Sequence, residues 1–196
     1  MTAAARRHGK VFVISSPSGG GKTTVVRALL KRLSTMARSV SVTTRAQRVS
    51  ERPGVDYRFV TVDEFRQLRD DGRLLEWAKV HRAYYGTLRD PVERAIKAGR
   101  DVILCIDVQG AKQVRRVFAD RAVLIFLLPP SIDDLRNRLV RRQTETLDSI
   151  RHRLQAARRE LACATWYDYG VVNQRVDVAV QQLEAIVTAE RLRMRE

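Results

Sequence analysis

The chain has 196 residues, 44% of them hydrophobic, which is enough for one compact domain with a real core and excludes a disordered polar chain. No apolar run approaches the roughly 18 residues of a membrane span, and the short run VFVIS after the basic start MTAAARRHGK is too brief for a secretory signal. The formal net charge of +15 fits an anionic partner such as nucleotide phosphates, nucleic acid or an acidic surface.

In chain order, residues 1–8 read as a frayed tail. Residues 11–15 read as a buried strand, after which Val25, Ala28, Leu29, Leu33 and Met36 fall on one helical face. Residues 102–106 and 122–128 are further apolar runs rich in Val and Ile, as in strands covered on both faces. Helical patterns follow at 109–118 and 131–142, then a last strand at 170–173 and a last helix at 176–194. This alternation predicts an α/β fold with a mostly parallel sheet flanked by helices. Residues 43–87, with Thr, Arg, aromatics, Pro53 and Gly54, read as a small insert of short strands and one helix near 63–70. Residues 136–159 hold eight arginines against Glu145 and Asp148, which taken alone describes a solvated helix face. The two cysteines, Cys105 and Cys163, show no metal-ligand spacing and suit a reducing cytoplasm.

The strongest local signal lies directly after the first strand: Ser16, Pro17, Ser18, Gly19, Gly20, Gly21, Lys22, Thr23 and Thr24. Glycines let the backbone turn tightly and aim its N–H groups inward, and the helix that follows adds partial positive charge at the same point. Lys22 can reach outer phosphates, and the Thr23 hydroxyl can bind Mg²⁺. This is a P-loop pattern with Ser16 in place of its first glycine. ATP with Mg²⁺ is the implied ligand.

The ordered pieces SSPSGGGKTT, SVTTRAQR, VDYRFV, LLEWA, YYGT, CIDVQG, FLLPPS, RLVRRQTE and VVN resemble guanylate kinase, the P-loop NTPase family that phosphorylates GMP with ATP; they run through nearly the whole chain. The resemblance implies a P-loop core at 9–40, 89–135 and 154–196, a small mixed GMP-binding insert at 41–88 and a helical lid at 136–153. It implies that Arg45, Arg48, Tyr57 and Tyr85 hold the GMP phosphate. Glu76 would read guanine, with Ser41 and Thr87 completing base recognition. Asp107 would hold a Mg²⁺-bound water or orient a phosphate-gripping arginine; its local sequence equally suits a helix N-cap. Arg138, Arg142 and Arg153 would close over the transferring phosphoryl group, and Asn173 would lie near adenine. Glu51 matches an acidic position whose role stays open. The chain departs from the family at Cys105, where a second acid is usual, and at Gln143, where the lid usually has glycine.

Three other readings compete. A non-catalytic relative that docks peptides or only senses GMP would typically lose the loop lysine or glycines. A sugar-phosphate kinase would have no use for Glu76 and Ser41. Nucleic-acid binding rests on charge alone, and any weak electrostatic affinity should fall steeply with salt. The expected enzyme is a cytoplasmic ATP:GMP phosphotransferase of guanine nucleotide metabolism and GMP recycling, acting also on dGMP, without membrane attachment, as a monomer or small homo-oligomer.

Overall fold

The run VFVIS forms strand β1 (Val11–Ser15), in which Val11, Phe12, Val13 and Ile14 are fully buried. A strand apolar on both faces must be covered on both, which is the situation of a parallel sheet between helices. The computed structural model describes residues 8–49, 51–80, 82–140 and 147–194. Of the expected tail, residues 1–7 lie outside the described part. The main sheet has five strands in the order β2 (Ala37–Arg38), β7 (Val102–Cys105), β1, β8 (Ala122–Leu128) and β9 (Tyr169–Val172). The chain divides into two units, Met1–Val13 with Thr35–Ala122 and Ile14–Ser34 with Val123–Glu196.

In the first unit β2 runs parallel to β7, Ala37 opposite Val102. A second sheet of four strands has the order β4 (Arg58–Phe59), β3 (Val42–Thr43), β6 (Ala83–Leu88), β5 (Leu74–Val80). Strands β5 and β6 are antiparallel, and the register shifts between Leu74 and Glu76. Helix α2 (Val62–Asp70) starts at a capping box: Glu64 N donates to Thr61 Oγ1 at 3.1 Å, and Thr61 N donates to Glu64 Oε2 at 2.7 Å. It buries Phe65 and Leu68 against Val42 and Leu74. Helix α3 (Arg89–Lys97) packs on β5 and β7, and helix α4 (Val108–Phe118) packs on β5.

In the second unit α1 (Lys22–Arg32) packs on α7 (Val176–Leu192), and β8 runs parallel to β9, Leu128 opposite Val172. Helix α5 (Ile132–Val140) begins after Ser131, whose Oγ accepts from Asp134 N at 2.9 Å. Helix α6 (Leu147–Ala162) packs on α5. The expected α/β order holds, with elements displaced by a residue or two: the last strand is 169–172 rather than 170–173, and α7 ends at Leu192. Among the described residues no helix is long and apolar enough to cross a membrane.

Candidate active site

The glycine-rich segment of the second unit leaves β1 and turns into α1 through two left-handed residues, Gly19 (φ 90°) and Gly21 (φ 88°). L-residues with a side chain rarely adopt these angles, so the turn requires glycine at both positions. Gly20 N donates to Pro17 O at 2.9 Å, which closes the loop on itself. Gly21 caps α1 without a side chain, so the first amides of Lys22, Thr23 and Thr24 begin a helix with nothing of the cap over them. Backbone donors at a helix N-terminus after a glycine turn form an anion cradle. Thr23 and Thr24 are exposed at its rim.

Asn173, at the end of β9, holds this loop. It is buried (3% exposed), and its Nδ2 donates to Gly20 O at 2.7 Å. A Cβ on Gly21 would strike the same Nδ2, a second reason for glycine there. The Asn173 carbonyl accepts from Arg138 Nη2 at 3.0 Å, so one residue ties the loop to an arginine of α5. Asn173 was expected near adenine; its observed contacts are with the loop and with Arg138. Its Oδ1 is buried and has no hydrogen-bond partner among the described residues. Arg153 is half-buried on α6. Arg142 and Gln143 lie outside the described residues.

In the first unit the expected base-reading residues converge on the four-stranded sheet. From local sequence Glu76 looks like an exposed strand residue beside Trp77, yet Glu76 is buried (4%) and Trp77 is the exposed neighbour (36%). The register shift in β5 leaves Leu74, Leu75 and Glu76 all buried in succession. Thr87 Oγ1, opposite on β6, donates to Glu76 Oε1 at 2.6 Å. Ser41 and Thr87 are both buried. Asp107 takes the N-cap position of α4: its Oδ1 accepts from Gly110 N at 2.9 Å and its Oδ2 from Gln109 Nε2 at 3.1 Å.

The expected phosphate-holding residues form a second cluster in this unit. Arg45 Nη2 donates to Glu51 Oε1 at 2.8 Å and to Oε2 at 3.0 Å, and Arg45 Nε donates to Tyr85 OH at 3.1 Å. Its guanidinium also lies over the Tyr57 ring, 5.5 Å from the centroid. Burial lowers the arginine's pKa, but the hydrogen bonds to Glu51 and Tyr85 outweigh it and hold Arg45 above its ordinary value. Burial likewise raises Glu51, and the bonds from Arg45 and from Arg48 N outweigh it, so Glu51 titrates below the ordinary carboxylate range. Glu51, whose role sequence left open, therefore sets the direction of Arg45. Arg48 is exposed. Burial pushes the Tyr57 phenol up, with Tyr85 and Cys105 adding to the rise, so its hydroxyl stays protonated at neutral pH. Cys105 is a half-buried thiol at the end of β7, outside any disulfide. Asp56, which sequence reasoning missed, is buried and braces the loop before Tyr57 by accepting from Arg52 N at 2.9 Å; the turn residues Pro53 and Gly54 between them were its only local signal.

The family model described as guanylate kinase matches residues 8–190. The chain belongs to the guanylate kinase family. A guanylate kinase of Chelativorans sp. (strain BNC1) is 49% identical over 98% of this chain and 88% of that protein. One of Shouchella clausii (strain KSM-K16) is 49% identical over 94% and 90%. The crystal structure of guanylate kinase from Anaplasma phagocytophilum superposes with a TM-score of 0.81 at 34% identity, covering 95% of this chain and 88% of that one. As a guanylate kinase the chain is an α/β P-loop phosphotransferase that moves the γ-phosphoryl group of ATP to GMP.

Proposed function

We propose that this transfer is divided between two sets of residues, one for each nucleotide. ATP takes the loop Ser16–Pro17–Ser18–Gly19–Gly20–Gly21–Lys22–Thr23–Thr24, whose amides cradle its phosphates, with Asn173 beside it. GMP takes the cluster in the first unit. Arg45, Arg48, Tyr57 and Tyr85 grip its phosphate, Glu76 with Ser41 and Thr87 reads its base, and Asp107 holds a Mg²⁺-bound water or orients a phosphate-gripping arginine. A guanidinium fork can hold two phosphate oxygens at once, which suits Arg45 and Arg48 to this role. In this reading the core comprises 9–40, 89–135 and 154–196, the insert 41–88 and the lid 136–153. The enzyme acts in the cytoplasm, in guanine nucleotide metabolism.

The observation that carries the GMP assignment is the buried Glu76 carboxylate beside the Thr87 hydroxyl. Guanine offers N1–H and N2–H₂ as adjacent donors, and a carboxylate accepts from both. Adenine presents a bare N1 and lacks that amino group, so a buried carboxylate is left facing a lone pair. The proposed contacts go to base and phosphate, which leaves the 2′-hydroxyl unread and admits dGMP.

The Thr23 hydroxyl and the triphosphate oxygens are the hard oxygen donors that suit Mg²⁺. Among the described residues no three His, Cys, Asp or Glu side chains are grouped to hold a cation by themselves, so Thr23 and the nucleotide are its fitting ligands. When bound, Mg²⁺ supplies neutralising charge to the β- and γ-phosphates. The chain's own residues do the rest. Lys22, Arg138, Arg142 and Arg153 neutralise the equatorial oxygens of the transferring group. An ionised GMP phosphate oxygen attacks phosphorus in line, so no general base is required. Closure of insert and lid excludes water and suppresses ATP hydrolysis.

The test is ADP release with GMP, dGMP, AMP or UMP as acceptor. GMP and dGMP should be turned over and AMP and UMP rejected. Equal rates with AMP and GMP would remove the role given to Glu76.

A further inference from the structure

Glu76 is buried, yet the strand that carries it is the outer strand of its sheet, and a sheet edge left to itself presents a row of unpaired N–H and C=O groups. Two features of α4 address this. The first is Gly110. It is buried, and its backbone is not among the left-handed glycines, so no turn requires glycine there. A glycine inside a helix weakens it relative to alanine. What glycine provides is space: a Cβ at 110 would strike Glu76 Oε2 and lie 3.0 Å from its carboxyl carbon, with Ile106 Cδ1 at 3.3 Å closing the other side. The missing methyl is the seat of the carboxylate.

The second is Gln113, one helical turn further on the same face. Its side-chain amide pairs with the backbone of Trp77, the residue next to Glu76: Trp77 N donates to Gln113 Oε1 at 3.2 Å, and Gln113 Nε2 donates to Trp77 O at 2.7 Å. These are the two bonds that a neighbouring strand would have made, so α4 supplies a surrogate partner at the one point of the edge adjoining Glu76. The carboxylate is thus held from three directions: the Thr87 hydroxyl on β6, the void at Gly110, and the grip on its own backbone through Gln113.

We infer that Gly110 and Gln113 are positioning residues for guanine discrimination, holding the Glu76 carboxylate in place through a missing side chain and an amide grip on the adjoining strand. The inference rests on the reading of Glu76 as the guanine acceptor.

The decisive variant is Gly110→Ala, which should favour the helix while displacing the carboxylate. The GMP KM should rise about tenfold or more, the loss expected when a hydrogen bond to a charged group is misplaced. The preference for GMP over AMP should narrow, while the ATP KM and the thermal midpoint hold. Gln113→Ala should raise the GMP KM in the same direction by a smaller factor with the ATP KM unchanged, and it decides alone if Gly110→Ala does not fold. A folded Gly110→Ala with the GMP KM and the AMP discrimination of the wild type overturns the inference, and so does an unaffected Gln113→Ala where the first variant does not fold. Glu76→Gln, measured beside them, separates the two levels. If it binds GMP as the wild type does, the reading of Glu76 falls and takes the inference with it. If it is impaired while Gly110→Ala is not, only the inference falls.

Discussion

On the proposed division of the site, the phosphate loop and the guanine-reading cluster solve the same problem, recognition of an anionic nucleotide, by opposite means. The loop is made of consecutive residues and works through its backbone; its specifications are two left-handed glycines and a helix start. The proposed GMP cluster works through side chains drawn from β5, β6 and the residues flanking β3, and two of them are aimed by a second residue: Glu76 by Thr87 and Arg45 by Glu51. A backbone cradle is indifferent to what the phosphates are attached to. A buried carboxylate in a shaped seat is not, because an unmatched partner leaves a desolvated charge unpaired. On this proposal the first region provides grip and the second choice.

The sharpest break of this contrast is Lys22→Ala, the side chain that the loop adds to its backbone. Turnover should fall by about a hundred- to a thousandfold, the usual loss of one donor to developing charge, while GMP affinity and the circular dichroism spectrum stay unchanged. Turnover at the wild-type rate would mean that the loop needs no lysine. Glu76→Gln comes next: kcat/KM for GMP should drop by about ten- to a hundredfold, with little change in the ATP KM. A loss shared equally by both substrates would place Glu76 in the scaffold rather than in the reading of the base.

Asn173→Ala tests whether the loop is as self-sufficient as its contiguity suggests. Without the bond to Gly20 the ATP KM should rise by about tenfold, with GMP binding intact; an unchanged ATP KM would show that the loop holds its own shape. The smallest effect is expected at Glu51. Its carboxyl titrates below the ordinary range in the folded chain, so the folded pKa lies under the unfolded one. Its stabilisation is therefore complete above the unfolded value and lost as pH falls through the folded one. Glu51→Gln should lower stability by about 1 kcal/mol at neutral pH, and the thermal midpoints of variant and wild type should converge in acid. A constant gap at every pH would show that the ion pair with Arg45 contributes nothing.

The loop was legible because every requirement it meets is local: a strand that must end, glycines where φ turns positive, and a helix that begins at Lys22. The alternation of buried strands and amphipathic helices was legible for the same reason, since period and burial are written in neighbouring residues. The guanine cluster became visible only through its resemblance to a family, and its supports not even then. Nothing around Glu76 announces that it is buried, because the register shift in β5 that places it inside is a property of two paired strands. Glu51 was recognisable as an acid in a turn, whereas its grip on Arg45 depends on how residues 45–51 fold back.

By itself, then, the amino-acid order determined the class of fold and the phosphate cradle, both of which arise from interactions between residues close along the chain. Only the tertiary structure decided where the Glu76 carboxylate sits, what aims Arg45, and why residue 110 carries no side chain. Those depend on groups distant in sequence meeting in a buried space, where the absence of one methyl matters as much as the presence of a hydrogen bond.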